Sequence, residues 1–424
     1  MASEPTADAC APHGGLVALA DAVARITALA RPIGEVENIP LTGAAGRVLA
    51  EPIAAPITLP VFDNSAMDGF AVATAALAGS PPYRLPVVAR TTAGDAPQAT
   101  LNLPGAVRIF TGAPMPPGAD AVVMQEHCAI ESDGDGLSVV IDRPVSAGLN
   151  IRRRGEDVAE GAAVLTAGTV VDPRHIAIAA ALGLATLPVR RAVTVALLST
   201  GNELREAGDT LTPGAIYESN RPMLAALLRR RAHSVTNLGI CRDEPEPLAR
   251  RLLAASRDHD IILTSGGVSV GEEDHLPAVL RRLCDRAEIL KIGIKPGKPA
   301  AAGRIGNAVV LALPGNPFSA LVSFLMLAVP LLARVTSASN TAINATPAVA
   351  AFADTTARAR DEFIPVRIDG HDTLGRPRLG RSGPGGSHRL NPLLSADGLA
   401  LLPKALPTIT PGDPLAFYAF AAIL

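Results

Sequence analysis

The feature that most constrains the fold of this 424-residue chain is an alternation of apolar and helical segments between about Arg191 and Leu332. Three runs, "AVTVALLS", "DIILTS" and "AVVLALPG", are almost continuous in Val, Ile, Leu and Ala, and helical patterns lie between them. Strands that are apolar on both faces and are joined by helices are typical of a parallel sheet covered on both sides. We therefore predict a doubly wound parallel α/β domain at residues 189–335.

The remaining segments have other patterns and predict three further domains, because the length exceeds what one hydrophobic core supports. Residues 56–150 consist of short apolar runs broken by Pro and Gly, which predicts an inserted β-rich domain. A helical pattern runs from Leu16 to about Ala50, and Pro173 near a start and Gly183 near an end predict one more helix. Residues 16–55 and 151–188 therefore predict a discontinuous helical first domain that the insertion interrupts. Residues 345–424 return to short strands and predict a small C-terminal β-barrel.

Composition and charge argue against nucleic-acid and membrane partners. The formal net charge is −2, aromatic residues make up 3% and Trp is absent, so the chain offers neither a basic surface nor stacking platforms. The apolar stretch from Phe318 to Val335 approaches the length of a membrane span, but Ser323 and Pro330 interrupt it, which favours a core helix. The N-terminus lacks signal-peptide features and the four cysteines lack zinc-ligand spacing, so we expect a reduced, cytoplasmic protein.

Three loops follow three of the predicted strands: "STGNEL" (Ser199 to Leu204), "TSGGVSVGEED" (Thr264 to Asp274) and "LPGNP" (Leu313 to Pro317). In an open parallel sheet, ligands bind beyond the carboxyl ends of the strands, where backbone N–H groups and helix N-termini converge on an anion. One such loop is equally well explained by glycines that only turn the chain, but three at one edge favour an anion site. The candidate binding residues are Ser199, Thr200, Gly201, Ser265, Gly266, Gly267, Ser269, Pro314, Gly315 and Asn316.

Acidic residues within two of these loops indicate a metal ion. Glu203 lies in the first loop and Asp274 ends the second, and carboxylates beside a phosphate are tolerated when a divalent cation lies between them. Mg²⁺ takes one or two carboxylates together with phosphate oxygens, so Glu203 and Asp274 are its candidate ligands. The alternative is a carboxylate that only favours a helix dipole, which we prefer for Glu272 and Glu273.

The lysines are concentrated in one segment. Only four of the 38 basic residues are Lys, and three of them, Lys291, Lys295 and Lys298, lie in "KIGIKPGKP". In a strand, Lys291 and Lys295 would share a face, and the turn at Pro296 and Gly297 would bring Lys298 to the same place. Compact ammonium groups suit a small tetrahedral oxyanion, so a positive oxyanion pocket is predicted. A solvated basic strand edge is the alternative.

Two long motifs lie in the β-rich region and form an ordered series with motifs elsewhere in the chain. They are "FDNSAMDGFAV" (Phe62 to Val72) and "RIFTGAPMPPGADAVVMQE" (Arg108 to Glu126), whose polar and Gly residues alone indicate only turns. With "NIRRRGEDV", "STGNEL", "TSGGVSVGEEDH", "KIGIKPGKP", "LPGNPFSALVSF" and "GGSHRL", they extend over nearly the whole chain. The set resembles the molybdopterin molybdenumtransferase family, which includes bacterial MoeA and the E domain of gephyrin.

The resemblance implies an enzyme of molybdenum cofactor biosynthesis. Members insert molybdate into adenylylated molybdopterin and release AMP in a Mg²⁺-assisted reaction, as elongated homodimers of four domains. The matching family positions are Asp68, Thr111, Glu203, Asp243, Asp274, Lys291, Lys295, Lys298 and Ser387. The resemblance further implies that Asp68 and Thr111 of one subunit face the third-domain crevice of the other.

One position departs from the family pattern. Some members carry Arg shortly after the "EF" of the fourth domain, where this chain has Pro365, so the oxyanion contact is left to Arg360 or Arg367. Three matters also stay open: molybdate versus tungstate, the physiological divalent ion, and handover partners such as a molybdopterin adenylyltransferase or an acceptor molybdoenzyme.

Two alternative functions are weighed against this one. The preceding adenylylation step belongs to a related family that has only the third domain, whereas this sequence predicts three more. A gephyrin-like scaffold ranks low because the site residues are intact.

Overall fold

The structure, a computed structural model, describes residues 15–96, 100–101, 104–132, 136–231, 233–268, 275–339 and 343–424. Two compact units divide the chain. The first comprises Met1–Ala50, Ala167–Asp172 and Leu187–Leu424, and the second comprises Glu51–Thr166 and Pro173–Thr186. This division is coarser than the four predicted domains, whose boundaries stay a prediction.

The first unit contains the predicted α/β domain, which is built on a six-stranded sheet. The strands, in spatial order, are Ser234–Cys241, Thr194–Thr200, Ile261–Ser265, Ala308–Leu313, Pro299–Ile305 and Ala287–Lys291. The first four are parallel, and the last two join antiparallel at one side. The predicted parallel core is confirmed, and the carboxyl ends of its strands lie together.

Both faces of this sheet are covered by helices. Along Thr194–Thr200, Val195 and Leu197 pack into one apolar core, whereas Ala196 and Leu198 pack into a second. Because successive strand side chains point to opposite faces, the two cores lie on the two sides of the sheet. The helices are Leu19–Thr27, Asn220–Arg229 and Pro317–Thr336 on one side, and Pro245–Ala255 and Leu276–Leu283 on the other. The doubly wound arrangement is confirmed.

The helix Pro317–Thr336 has the length and composition of a membrane span, with a mean hydropathy of 2.0 in its most apolar window. Of that window, 83% is buried inside the protein, as expected for a core helix. The hydrogen bonding widens to π-type turns over Phe324–Ala328. Pro330 lies two residues after this segment, and a proline ring crowds the carbonyl of the preceding turn and donates no hydrogen bond to it.

The C-terminal part of the first unit is a closed five-stranded barrel, as predicted. Its strands are Thr346–Ala350, Asp361–His371, Pro377–Arg381, Gly398–Leu402 and Pro414–Ala419. A short helix, Asn391–Leu394, lies between the third and fourth strands, and another, Phe420–Ile423, follows the last. Each barrel strand pairs with two others, which closes the ring around an apolar core. The short strand Ile294–Lys295 pairs in parallel with Asp361–His371. The lysine segment is therefore joined to the barrel by backbone hydrogen bonds.

The N-terminal segment is less helical than its pattern predicts. Its α-helix is confined to Leu19–Thr27, although the helical pattern runs to about Ala50. Pro32 and Gly34 follow, and both residue types are poor helix formers. The chain then forms the strand Val36–Pro40, which pairs with Thr186–Arg190.

The second unit is mainly β, as predicted for the inserted segment. Its six-stranded sheet has the order Ala121–Met124, Gly69–Val72, Ala106–Ile109, Tyr83–Thr91, Leu137–Ile141 and Cys128–Ser132. Two further pairs join Ile53–Ala54 to Ala163–Leu165 and Asn64–Ser65 to Ile151–Arg152. The predicted helix that begins at Pro173 is confirmed as Pro173–Ala181.

Gly69 permits a close backbone approach within this sheet. It pairs with Ile109 on one side and Met124 on the other. A Cβ at Gly69 would overlap the carbonyl oxygen of Val123. The glycine of the "MDG" motif is therefore a strand residue that must lack a side chain, and not only a turn residue.

Gly69→Ala is expected to destabilise the second unit, because backbone atoms would have to move to admit the methyl group. We expect the free energy of unfolding to fall by at least about 2 kcal/mol, a typical cost of overpacking a buried position. Denaturant unfolding measures the change, and Gly34→Ala is the control because a Cβ there meets nothing within 4 Å. Equal stability of the two variants would contradict the close approach at Gly69.

Candidate active site

A cavity of about 820 Å³ lies at the carboxyl ends of the parallel strands in the first unit. The helices Asn220–Arg229 and Pro317–Thr336 both begin at this cavity, so the positive ends of their dipoles favour an anion there. The barrel contributes the start of Asp361–His371 and residues 385–388 to the wall. From the three predicted loops, the lining residues include Thr200, Gly201, Glu203, Ser265, Gly266, Gly267, Pro314, Gly315 and Asn316.

The three loops meet in backbone contact. Gly266 has a φ of +93°, and a Cβ there would overlap the carbonyl oxygen of Thr200 in the first loop. A Cβ on Gly315 of the third loop would lie 3.5 Å from the Gly266 Cα. The predicted convergence is therefore confirmed, and it depends on glycine because only glycine combines this φ with so close an approach.

Asn220, a residue that the sequence reasoning missed, ties two of these loops together. Its Nδ2 donates to Ser265 Oγ at 2.7 Å and to the Gly315 carbonyl at 2.6 Å. The side chain is only 5% exposed, so both hydrogen bonds are shielded from water. The one signal in the sequence is a polar residue at the start of the helical pattern that lies between the first two predicted strands.

Two predicted hydroxyl residues lie at the end of the first strand. Thr200 lines the cavity, whereas Ser199 is fully buried next to it and is not part of the wall. Within the described part of the chain, neither hydroxyl oxygen has a hydrogen-bond partner. Because an unpaired buried hydroxyl costs free energy, Thr200 Oγ1 is suited to meet a polar ligand atom.

Three acidic residues of the α/β domain line the cavity: Glu203, Glu218 and Asp243. A Cβ on Gly201 would lie 2.7 Å from Glu203 Oε2, so this carboxylate lies over the first loop. The Asp243 amide donates to Asn202 Oδ1 at 3.3 Å, which holds Asp243 beside that loop. Glu218, which the sequence reasoning missed, accepts a hydrogen bond from the Arg221 amide at 2.9 Å and is nearly buried.

Two predicted site residues, Ser269 and Asp274, lie outside the described residues. The predicted pairing of Glu203 with Asp274 at a metal therefore stays a prediction. Among the residues that the structure describes, no group of three or more His, Cys, Asp or Glu side chains is arranged to hold a metal ion.

The lysine segment is not the single strand that the sequence predicts. Lys291 ends a strand of the α/β sheet, whereas Lys295 ends the separate strand Ile294–Lys295 beside the barrel. The chain leaves the first sheet after Lys291, and the Ile292 amide donates to the Lys298 carbonyl at 2.7 Å. The assumption that Lys291 and Lys295 share one strand face was therefore wrong. Lys295 and Lys298 line the cavity, and Lys291 does not.

Lys295 has a carboxylate partner that the sequence reasoning missed. Its Nζ lies 2.8 Å from Glu362 Oε1, and both residues line the cavity. Lys295 and Glu362 are register partners in the parallel pairing of their strands. Since they are far apart in sequence, only the pairing of the lysine segment with the barrel reveals the contact.

The two arginines left open by the sequence lie in different surroundings. Arg360 lines the cavity, and its Nη1 donates to the Ile294 carbonyl at 2.9 Å. Arg367 does not line the cavity, and its Nε donates to Asp369 Oδ1 at 2.7 Å. Arg360 is thus the one of the two that can contact a ligand in this cavity.

Ser387 of the barrel lies in the cavity wall near the third loop. Its hydroxyl accepts a hydrogen bond from Asn316 Nδ2 at 3.1 Å, and its carbonyl accepts one from the Phe318 amide at 3.1 Å. The barrel and the α/β domain therefore build one wall together.

The predicted residues Asp68 and Thr111 lie in the second unit. The amide and the hydroxyl of Thr111 both donate to Asp68 Oδ1 at 2.8 Å. These two hydrogen bonds, the amide first, lower the pKa of the Asp68 carboxyl below its usual value. Asp68 is therefore a fixed, ionised carboxylate.

Sequence comparison matches three family profiles along the chain. The profile described as MoeA N-terminal region (domain I and II) matches residues 17–183, and the probable molybdopterin binding domain matches residues 196–334. The MoeA C-terminal region (domain IV) matches residues 347–420.

Curated relatives and solved structures extend over most of the chain. A molybdopterin molybdenumtransferase 2 of Mycobacterium tuberculosis is 39% identical over 401 residues, which is 93% of this chain and 96% of the relative. The molybdopterin molybdenumtransferase of Haemophilus influenzae is 42% identical, over 71% of this chain and 73% of the relative. A crystal structure of the molybdopterin biosynthesis MoeA protein from Pyrococcus horikoshii is 27% identical and superposes with a TM-score of 0.78, covering 95% of this chain and 100% of that one. On these matches and the convergence of its loops, the chain belongs to the molybdopterin molybdenumtransferase family.

Proposed function

We propose that this chain is an enzyme of molybdenum cofactor biosynthesis, a molybdopterin molybdotransferase that inserts molybdate into adenylylated molybdopterin and releases AMP. The observation that carries the proposal is that two chemically distinct sets of residues line one cavity. Glycine-rich loops, helix N-termini and acids form one set, which we call the loop end, and Lys295, Lys298 and Arg360 form the other, which we call the basic end. Such a cavity suits a phosphate bound next to a metal at one end and a small oxyanion at the other.

The loop end would bind the adenylyl phosphate. The helices that begin at Asn220 and Pro317 favour negative charge at their N-termini, and Thr200 Oγ1 offers a buried polar contact. Asn220 holds the second and third loops together, so it is a positioning residue for this end. The phosphate would then be bound by preformed groups that need no rearrangement.

The acids at the loop end fit a divalent cation. Glu203 and Asp243 offer carboxylate oxygens at the cavity wall, and Asp274 follows the second loop in the sequence. We infer that Glu203 and Asp274 hold Mg²⁺, with Asp243 beside them, because Mg²⁺ prefers a few carboxylates plus phosphate oxygens. When bound, the ion supplies positive charge that stabilises the phosphate oxygens during release of AMP.

The basic end would bind molybdate. Lys295 and Lys298 line this end and carry flexible ammonium groups, which suit a tetrahedral dianion better than a planar guanidinium does. Lys291 would act at a longer range, since it is not part of the wall.

We further infer that the enzyme is a cytoplasmic homodimer with a shared site. In the second unit, Thr111 donates two hydrogen bonds to the Asp68 carboxylate, and the family resemblance assigns such residues to the active site of the partner subunit. An upstream adenylyltransferase and an acceptor molybdoenzyme are the expected partners for receiving substrate and passing on product.

Glu203→Gln is expected to slow AMP release from adenylylated molybdopterin by at least about 100-fold, the scale of a lost electrostatic contact in a preorganised site. The substitution removes one negative charge and keeps the shape of the side chain. Glu244→Gln is the matched control, because Glu244 is exposed and is not part of the cavity wall. Single-turnover assays with saturating Mg²⁺ measure both, and near-normal release by Glu203→Gln would remove Glu203 from the mechanism.

The shared site predicts complementation between subunits. Asp68→Asn and Glu203→Gln homodimers should each be inactive, and mixed dimers should regain activity because one of their two composite sites is intact. The measurement is AMP release after subunit exchange, with exchange verified by mass spectrometry of differently tagged chains. Complete exchange without recovered activity would place each site within one chain.

A further inference from the structure

The basic end of the cavity contains a carboxylate whose role the proposed reaction leaves unexplained. Among the described residues that line the cavity, Glu362 is the only acid contributed by the barrel. The other three acids, Glu203, Glu218 and Asp243, belong to the α/β domain. Glu362 therefore stands among the cations that the oxyanion must approach.

The ion pair between Lys295 and Glu362 is asymmetric. The nitrogen and oxygen are 2.8 Å apart, but the Lys295 side chain is 55% exposed and the Glu362 side chain only 18%. Lysine has a flexible four-carbon stem with three rotatable donors. The ammonium can therefore leave the pair by a side-chain rotation, whereas the carboxylate is held in the barrel wall.

Glu362 also lies next to a second cation, which is buried. Arg358 Nε lies 3.8 Å from Glu362 Oε2, and the Arg358 side chain is 2% exposed. Arg358 is itself held by Asp354, 2.6 Å from its Nη2, and its Nη1 donates to the Leu406 carbonyl at 2.8 Å. Asp354 is also paired with Arg381, and at 3.8 Å the Arg358 Nε is beyond hydrogen-bond distance of Glu362. Arg358 therefore stabilises the Glu362 carboxylate without making a hydrogen bond to it, and the other carboxylate oxygen contacts Lys295.

The neighbouring cations have no such partner. Within the described part of the chain, neither Lys298 nor Arg360 lies within ion-pair distance of a carboxylate, although both line the cavity. Of the three cations at this end, only Lys295 is neutralised before a ligand arrives.

We propose that Glu362 is a resident counter-ion that occupies the oxyanion contact of Lys295 in the empty cavity, and that the incoming tetrahedral dianion binds by taking Lys295 from it. The identity of that dianion as molybdate rests on the proposed function. A dianion a few Å from a fixed carboxylate is repelled, so Glu362 lowers the affinity of the site. A substrate oxyanion that is to be consumed gains no rate from tight ground-state binding, so low affinity suits this role.

The test is direct binding of molybdate to the full-length protein without the pterin substrate, by equilibrium dialysis with elemental analysis. Glu362→Gln removes the carboxylate charge and should bind molybdate about tenfold more tightly, the change expected when one charged contact stops competing. Asp361→Asn is the matched control, since it removes one charge at the adjacent residue, whose carboxylate instead accepts the Lys404 amide at 2.9 Å. Its affinity should stay within about twofold of wild type, as for charges that act only through solvent.

A double-mutant cycle shows whether the effect acts through Lys295. Lys295→Met should weaken molybdate binding, and adding Glu362→Gln to it should give a smaller gain than Glu362→Gln gives in wild type, because only the direct repulsion between the carboxylate and the dianion is then removed. Glu362→Asp, which keeps the charge but shortens the side chain, should bind molybdate more tightly than wild type and less tightly than Glu362→Gln. Thermal unfolding of each variant checks that the barrel is intact.

Two contrary results have different meanings. If wild type binds molybdate and folded Glu362→Gln binds it equally well or more weakly, this inference alone is overturned. Glu362 is then left as an anchor for Lys295. Absence of molybdate binding by every protein, wild type included, would overturn the proposed function and this inference together.

Discussion

The backbone contact between Thr200 and Gly266 is the constraint on which the site depends. Two adjacent parallel strands, Thr194–Thr200 and Ile261–Ser265, end at the same level, so their loops leave the sheet side by side. Any side chain at Gly266 would overlap the Thr200 carbonyl, and Gly315 of the next loop packs against Gly266 in turn. At Gly266 this convergence requires glycine. This close approach brings the loops, the helix N-termini and the acids of the cavity wall together.

The barrel completes the cavity with the opposite charge. The strand Ile294–Lys295 pairs with Asp361–His371 of the barrel, and this pairing places Lys295 opposite Glu362. Hydrogen bonds from Asn316 and Phe318 to Ser387 join the third loop to the barrel. Among the described residues of the cavity wall, three of the four acids lie near the strand ends, whereas Lys295, Arg360 and the fourth acid, Glu362, lie where the lysine segment meets the barrel. The two sets of residues can therefore serve two anions with different partners.

The sequence predicts the parts of this site that local patterns encode. Continuous apolar runs predict the covered parallel sheet, and glycine-rich loops after them predict the convergence at Thr200 and Gly266, because both follow from neighbouring residues. The lysine segment was misjudged as one strand, since nothing local indicates that Lys291 and Lys295 pair with different sheets.

The residues that the sequence did not reveal act through distant partners. Asn220 contacts Ser265 and Gly315, and Glu362 contacts Lys295, each across a long stretch of chain. Single polar residues of this kind carry no periodicity or motif of their own. Only the fold identifies their partners. Asp68, Thr111 and Ser387 were found through the resemblance of the ordered motifs and not through the residue pattern.

The central claim is that a tetrahedral oxyanion binds at the basic end of the cavity while the phosphate binds at the loop end. Tungstate is a heavy analogue of molybdate with strong anomalous scattering, so a crystal soaked with tungstate and AMP tests both positions at once. The account predicts a tungsten peak beside Lys295 and Lys298, and the AMP phosphate beside Thr200 and Gly267. Tungsten at the loops with an empty lysine end would contradict the account.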